Sequence, residues 1–273
     1  MPRPHTLPIM DDLDVTLAAA AAGAAVVADA FGSSTTTEMK GRNDPVTAVD
    51  RGAERAILDV IASLRPDDGV LGEESGGAIG GGRHWIVDPL DGTVNFIHGI
   101  PQVSVSVALY DGVTPITGVV VDPLRAEVFA AQRGSGAVLG GEAIRVSTTG
   151  DLGAAVVATG FPYDHDRYAA EYTAVVSAVL ARVNGIRRFG SAALDLAWTA
   201  AGRYEGYWEL GVAPWDQAAG TLIVTEAGGV VTDPWGAPAD PSTRLIVAAN
   251  PDIHPELAAI VRSHLPERLQ RDP

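Results

Sequence analysis

The chain has 273 residues, of which 47% are apolar, and it carries a net charge of −15. This length and apolar content allow one large domain or two small ones, each with a substantial core. The acidic balance opposes binding to nucleic acid and to anionic membranes, so we expect neither as a partner. The absence of cysteine excludes disulfides, thiolate zinc sites and a cysteine nucleophile, and it fits a cytoplasmic location.

The first element predicted from the sequence is an alanine-rich helix at residues 12–31. Its most apolar part, residues 17–27, is too short to span a bilayer, and Asp11, Asp12 and Asp14 stand where a signal peptide carries basic residues. We therefore expect a buried helix here.

A second helix is predicted at residues 47–64. Thr47 and Asp50 match a capping box, and apolar side chains recur at helical spacing after them. The glycine-rich residues 76–82 that follow predict a turn or loop.

The pattern changes to strands over residues 102–145, where apolar and small polar side chains alternate. Gly140 and Gly141 predict a two-residue hairpin turn within this region. The second half alternates between the two kinds of element. Strands are predicted near residues 155–159, 185–189, 204–209 and 245–248, and helices near 167–182, 191–201, 217–226 and 255–264. This order indicates an α+β fold of layered sheets and helices.

The most informative stretch is residues 85–96, which read WIVDPLDGTVNF. An apolar strand runs into two carboxylates, Asp88 and Asp91, that are three residues apart. A turn at this point can present both carboxylates and the Leu90 carbonyl to one cation, and Mg²⁺ takes oxygen ligands of this kind. An ordinary acidic turn is the alternative, but a strand this apolar would bury the two acids, which favours the metal site.

Gly92 and Thr93 come next and add a second ligand. At the start of a helix they would leave free backbone N–H groups, where phosphate binds well. An acidic chain with an anionic substrate needs a local inversion of charge, and bound Mg²⁺ supplies one. The stretch therefore indicates both a metal ion and a phosphate.

Further carboxylates have alternative interpretations. Glu73 and Glu74 follow an apolar segment as if at the end of a strand, and we expect Glu74 to be solvated. Asp216 could act only as the N-cap of the helix after it. Asp44 could simply nucleate a turn. Asp50 fits a capping role better than a ligand role. The sequence contains no P-loop, dinucleotide-binding or His-Glu-x-x-His motif.

Together, six segments resemble recurring segments of the inositol monophosphatase family, in that family's order and over nearly the whole chain. They are residues 72–75, 85–96, 160–163, 190–193, 215–220 and 226–229. The resemblance implies a layered αβαβα sandwich and a homodimer. It also implies one domain over residues 1–273, with a metal-binding α+β half up to about residue 150 and an α/β half from about residue 151.

The resemblance further implies two or three Mg²⁺ ions per subunit. The implied metal ligands are Glu73, Asp88, the Leu90 carbonyl, Asp91 and Asp216. Asp88 would serve both of the first two ions, and Glu73 would support a weaker third ion with Asp44 acting through water. The implied activity is hydrolysis of a phosphate monoester by a metal-activated water, with Glu73, Thr93 and Asp44 as catalytic residues.

The substrate contacts implied in the same way are Gly92, Thr93, Ser191, Ala192, Glu209 and Asp216. We expect a small phosphorylated polyol, first of all inositol-1-phosphate, because residues 207–211 resemble the inositol-type members. A bare Glu209 could instead be a surface acid at the end of a strand. Asp195 and Ala213 depart from residues common in the family on the substrate side. Fructose-1,6-bisphosphate, histidinol phosphate and 3′-phosphoadenosine phosphate are therefore alternative substrates.

A non-enzymatic role is the alternative of another class. Some bacterial members of the family bind transcription or ribosome-biogenesis factors, and the acidic surface permits this. The intact set of candidate metal ligands favours an enzyme, because a pure binding module has no need of all of them.

Overall fold

The computed structural model describes residues 10–33, 36–41, 45–163, 165 and 169–265. Its helices are α1 (Asp12–Ala30), α2 (Ala48–Leu64), α3 (Thr93–Ile97), α4 (Ala169–Leu180), α5 (Ala192–Ala200), α6 (Pro214–Glu226) and α7 (His254–His264). Its first strands are β1 (Thr37–Met39), β2 (Pro45–Thr47), β3 (Gly69–Gly72), β4 (Gly76–Gly77), β5 (Arg83–Asp91), β6 (Ser104–Asp111), β7 (Thr114–Asp122) and β8 (Glu127–Gln132). The remaining strands are β9 (Ala137–Leu139), β10 (Glu142–Ile144), β11 (Val156–Thr159), β12 (Gly185–Arg187), β13 (Gly206–Leu210), β14 (Val230–Thr232) and β15 (Leu245–Ala249).

Most of these strands belong to two sheets. The larger sheet has the order β10-β9-β8-β7-β6-β5-β3-β4 and is antiparallel except for the pair of β3 and β5. The smaller sheet has the order β12-β11-β13-β15-β14, with its parallel pairs at the β12 end. Because β3 and β5 run in parallel, the residues that follow β3 lie beside the end of β5.

Three clusters of buried apolar side chains lie between the layers of helices and sheets. Trp85 and Val87 of β5 face the cluster formed with α1 and α2, whereas Ile86 between them faces the cluster formed with α5 and α6. This is the period-two alternation of a strand that is buried on both faces. A third cluster packs α4 and α7 on the outer face of the smaller sheet. The five layers confirm the predicted α+β sandwich of αβαβα type.

Helix α1 is long and apolar enough, by length and composition alone, to cross a membrane. The predicted limit concerned only the most apolar part, residues 17–27, and the complete helix has 19 residues. The packing of α1 indicates a core helix instead, because side chains such as Val15 and Val27 are fully buried in the cluster shared with α2 and the larger sheet. A helix buried in a protein core can meet the same criteria of length and composition.

Several local predictions are confirmed. Thr47 and Asp50 form the capping box at the start of α2, and Gly140 and Gly141, at φ of 58° and 91°, make the tight turn between β9 and β10. Others differ in extent. Helix α6 begins at Pro214, three residues earlier than predicted, because proline at the first helical position costs no hydrogen bond.

Short elements account for the remaining differences. Strand β12 ends two residues before the predicted limit, part of the glycine-rich loop pairs with β3 as β4, and β14 had no clear signal in the sequence. The predicted start of the helix at residue 167 lies outside the described residues. The division of the chain into halves near residue 150 stays a prediction.

Candidate active site

The end of β5 forms one side of the candidate site. Asp88 lies buried near this end, and Asp91 is the last residue of the strand. The register between β5 and β6 shifts between the two acids, and the Leu90 N–H donates to Asp88 Oδ1 at 3.0 Å. The predicted strand with two acids at its end is therefore present, with a turn stabilised by one of those acids.

Gly92 links the strand to α3 in a conformation that requires glycine. Its φ is 97°, and a Cβ atom here would lie 2.9 Å from the Gln102 carbonyl oxygen and 3.2 Å from that of Gly190. The first turn of α3 consequently sits against the site, where Gly92 and Thr93 line its cavity.

Four carboxylates from three parts of the fold lie near this point: Glu73 after β3, Asp88 and Asp91 on β5, and Asp216 in the first turn of α6. The Glu73 N–H donates to the Val87 carbonyl at 3.1 Å, which places Glu73 next to Asp88. Burial, followed by the charges of Glu73, Asp91 and Asp216, raises the pKa of Asp88 well above its usual range. Burial and the charge of Asp91 likewise raise the pKa of Asp216. Such a crowded set of oxygen ligands fits hard divalent cations.

Glu73 and Asp91 of this group also accept hydrogen bonds from side chains. The Lys40 ammonium donates to Glu73 Oε1 at 2.7 Å, and Asp91 Oδ2 accepts from Ser191 Oγ at 2.7 Å and from the Ala193 N–H at 2.8 Å. In the part of the chain that the structure describes, no three acidic or histidine side chains are placed so that they could hold a metal ion without moving. Burial raises the pKa of Glu73 to about 7, although the charge of Lys40 opposes the rise.

Asp50 is a site residue that the sequence did not reveal. The Thr93 hydroxyl, which is buried, donates to Asp50 Oδ1 at 2.9 Å and lies 3.1 Å from the Leu90 carbonyl oxygen. Asp50 also caps α2 through Thr47, as predicted. Because Asp50 and Thr93 are 43 residues apart and meet only in the fold, the local pattern showed the capping role alone.

The opposite side of the site comes from the smaller sheet and α5. Glu209 on β13 accepts a hydrogen bond from the Tyr207 hydroxyl at 2.5 Å. Burial raises the pKa of Glu209 to about 7, while Tyr207 and Arg188 act against the rise. The alternative interpretation of Glu209 as a surface acid is therefore wrong. The side chain lies so close to Gly160 that a Cβ atom there would be 1.8 Å from Glu209 Oε2.

A cavity of about 440 Å³ joins the two sides. Predicted site residues that line it are Glu73, Asp91, Gly92, Thr93, Ser191, Ala192, Glu209 and Asp216. Asp88 and Leu90 lie behind this surface and are almost fully buried. Lys40, Arg188 and Arg244 also line the cavity and bring positive charge to a strongly acidic chain.

The remaining expectations have mixed outcomes. Glu74 is not solvated, since its side chain is 8% exposed and accepts from Lys40 at 2.8 Å. Asp216 is not the N-cap of α6, because it is the third residue of the helix and accepts from the Ala213 N–H at 2.7 Å. Asp195 is buried, and neither of its carboxylate oxygens has a hydrogen-bond partner among the described residues. Asp44 lies outside the described residues.

Comparison with known proteins shows which family the sequence and the fold resemble. The model of the inositol monophosphatase family matches residues 10–265. The protein Nus factor SuhB of Escherichia coli K12 is 44% identical over 235 residues, which are 85% of this chain and 88% of that protein. The suhB structure from Bartonella henselae is 41% identical, with a TM-score of 0.87 over 91% of this chain and 97% of that chain. The IMPase structure from Thermotoga maritima is 36% identical, with a TM-score of 0.87 over 95% and 100% of the two chains. The chain therefore belongs to the inositol monophosphatase family.

Proposed function

We propose that this protein is a Mg²⁺-dependent phosphomonoesterase that hydrolyses inositol-1-phosphate to inositol and phosphate. The family and its solved IMPase relatives support a phosphatase. The observation that carries the proposal is the set of four neighbouring carboxylates beside Gly92 and Thr93, of which Glu73, Asp91 and Asp216 line the cavity and Asp88 lies buried behind them. Such a set is costly to bury without cations, and it adjoins a helix start suited to phosphate.

The proposed ligands of two or three Mg²⁺ ions are Glu73, Asp88, the Leu90 carbonyl, Asp91 and Asp216. Bound Mg²⁺ would stabilise the developing negative charge of the reaction and acidify the attacking water. The backbone N–H groups of Gly92 and Thr93 would hold the phosphate oxygens.

Two residues would act on the attacking water. The Thr93 hydroxyl donates to the buried Asp50 carboxylate, so the lone pairs of its oxygen remain to accept a hydrogen bond from that water, and Asp50 would take up the hydroxyl proton as Thr93 takes one from the water. The Glu73 carboxylate lines the same cavity and provides a second acceptor. The assisting role of Asp44 remains a proposal from the family resemblance.

The alcohol would be recognised on the other side of the cavity. A carboxylate accepts hydrogen bonds at both oxygens, and Tyr207 donates to Oε2 of Glu209, so Oε1 remains for a substrate hydroxyl. Ser191 would act indirectly, because it is buried and its hydroxyl is directed to Asp91. A polyol, whose hydroxyl groups can donate to Glu209, fits this side of the cavity, which Ala192 also lines.

A panel of esters tests the proposed function. We expect the highest kcat/KM on inositol-1-phosphate among four esters that also include fructose-1,6-bisphosphate, histidinol phosphate and 3′-phosphoadenosine phosphate. EDTA should abolish phosphate release, and added Mg²⁺ should restore it. A faster reaction on another ester would reassign the substrate, and the absence of release from all four would contradict the phosphatase proposal.

The similarity to proteins named Nus factor SuhB favours a second proposal, namely that the chain also binds a transcription complex. The prediction that the chain does not bind nucleic acid limits how it could join such a complex. Fluorescence anisotropy with labelled RNA checks this prediction. An unchanged signal with protein in excess would mean that the chain joins the complex through protein partners. Association of the Asp91→Asn variant with such a complex would show that the role does not depend on turnover.

The predicted homodimer and cytoplasmic location complete the proposal. Light scattering of the purified chain measures the first, and we expect the mass of two copies. Fractionation of the source cells measures the second, and we expect the protein with the soluble contents.

A further inference from the structure

Lys40 is the only lysine of the chain, and its ammonium contacts one member of the carboxylate group, Glu73. It follows β1 and donates to Glu73 Oε1 at 2.7 Å and to Glu74 Oε1 at 2.8 Å. The Lys40 side chain is 26% exposed, and those of Glu73 and Glu74 are 11% and 8% exposed. These are charge-assisted hydrogen bonds in a largely dry setting, and they are stronger than a surface ion pair.

The position of this ammonium conflicts with the proposed metal centre. Glu73 is a proposed metal ligand, yet one of its two oxygens already contacts a cation. A divalent ion on the same carboxylate would lie within a few ångströms of the ammonium and repel it. Lysine and metal therefore compete for Glu73.

The charge of Lys40 also has a role before any metal binds. Glu73 and Glu74 are two adjacent carboxylates that are mostly buried, and the Lys40 ammonium supplies positive charge beside them. The same ammonium bridges Glu73 to Glu74 and keeps two adjacent acids together. A cation that belongs to the chain would keep these two carboxylates in place until a metal ion binds from solution.

We propose that Lys40 is an internal cation that occupies the Glu73 side of the metal centre and leaves Glu73 when Mg²⁺ binds. The inference rests on the proposed Mg²⁺-dependent function. It makes Lys40 a residue that sets the metal affinity of the site.

Calorimetric titration with Mg²⁺, in the absence of substrate, tests the competition. Lys40→Met should bind Mg²⁺ about tenfold more tightly than the wild type, which is the scale of one hydrogen bond to a charged group. Arg51→Met is the matched control, since Arg51 pairs with the exposed Glu38 and its loss removes the same charge nearby. We expect its affinity to stay within about twofold of the wild type. Equal or weaker binding by Lys40→Met, or the absence of Mg²⁺ binding in every variant, would overturn the proposal.

A measurement on the unsubstituted protein provides an independent test. Protein labelled with ¹³C-lysine carries one lysine spin system, so NMR relaxation at Cε reports on Lys40 alone. We expect the Cε order parameter to fall from a rigid to a mobile value as Mg²⁺ is added, with the midpoint found by calorimetry. An order parameter that stays rigid at saturating Mg²⁺ would overturn the proposal.

The two proposals fail in different ways. If Lys40 is released by Mg²⁺ and no ester is hydrolysed, the proposed function fails and the competition stands. If turnover requires Mg²⁺ while Lys40 stays rigid on Glu73, the competition fails and the proposed function stands.

Discussion

The two sides of the cavity bury carboxylates in opposite ways. In the metal-side wall, formed by Glu73, Asp88, Asp91 and Asp216, burial and then the charges of neighbouring acids raise the pKa values of Asp88 and Asp216. The substrate-side wall, formed by Gly160, Ser191, Ala192 and Glu209, holds one acid whose burial is relieved by a tyrosine hydroxyl and an arginine.

The difference separates the chemistry of the site from its specificity. Because its acids are close together and buried, the metal-side wall is stabilised by positive charge, and Lys40 supplies part of that charge. The substrate-side wall has its hydrogen bonds in place and presents a shape set by the absence of a Cβ atom at Gly160. We therefore expect changes in the first wall to affect turnover and changes in the second to affect the choice of ester.

The largest expected effect comes from the metal-side wall. Asp91→Asn should lower phosphate release about 1,000-fold, because it removes a charged metal ligand, while circular dichroism shows an unchanged fold. Asp151→Asn is the control, since Asp151 lies on an exposed turn and does not line the cavity. Turnover by Asp91→Asn near that of the control would refute the metal assignment.

A smaller effect is expected from Gly160→Ala in the substrate-side wall. The new Cβ atom would overlap Glu209 Oε2 and displace the carboxylate, so KM for inositol-1-phosphate should rise about tenfold, as for a lost hydrogen bond to a charged group. The rate on p-nitrophenyl phosphate, which has no polyol, should change little. Gly81→Ala, in open space, serves as the control. An equal loss on both esters would contradict the division between the walls.

The pH dependence of stability offers a third comparison. Because the pKa of Glu73 is raised from 4.5 to about 7, the folded protein holds this proton more tightly than the unfolded chain. The resulting stability is complete below pH 4.5 and is lost as the pH rises through 7. Without metal, the Tm of Glu73→Gln relative to the wild type should therefore rise by about 5 °C between pH 4.5 and 8.

The matched variant for this measurement is Glu209→Gln, whose acid has a similarly raised pKa. Without metal, the Tm of each variant relative to the wild type should rise with pH. Added Mg²⁺ should remove this rise for Glu73→Gln but not for Glu209→Gln, because only Glu73 is a proposed metal ligand. Differential scanning calorimetry across the pH range provides the measurement, and a difference in Tm that does not vary with pH would contradict the account.

The smallest expected effect concerns Asp195, which lies behind the substrate-side wall. Burial, with the charges of Glu209 and Asp91, raises its pKa well above the usual range. Within the part of the chain that the structure describes, neither carboxylate oxygen has a hydrogen-bond partner. Ionisation at high pH therefore destabilises the fold. Asp195→Asn should match the wild type near pH 4 and melt about 2 °C higher at pH 9. A lower Tm at pH 9 would show that the charge is stabilised.

The sequence predicted the layered fold because long apolar patterns dominate it. The alternation in β5 and the capping box of α2 are local signals, and both appear as expected. Short elements such as β4 and β14 escaped prediction, since two or three residues carry too little pattern to distinguish a strand from a loop.

The candidate site was predicted in part. Residues of the contiguous stretch that ends β5, such as Asp88 and Gly92, lie where expected. The contact between Asp50 and Thr93, and the Lys40 bridge to Glu73 and Glu74, join residues more than thirty positions apart. Such pairings depend on tertiary packing, which no local pattern contains.

One measurement tests the central claim most directly. Phosphate release from inositol-1-phosphate is followed in a single preparation as purified, after EDTA and dialysis, and after Mg²⁺ is restored. We predict turnover at the first stage, none above background at the second, and full recovery at the third. Release that persists after the metal is removed, or that is absent with Mg²⁺ in excess, would contradict a Mg²⁺-dependent phosphatase.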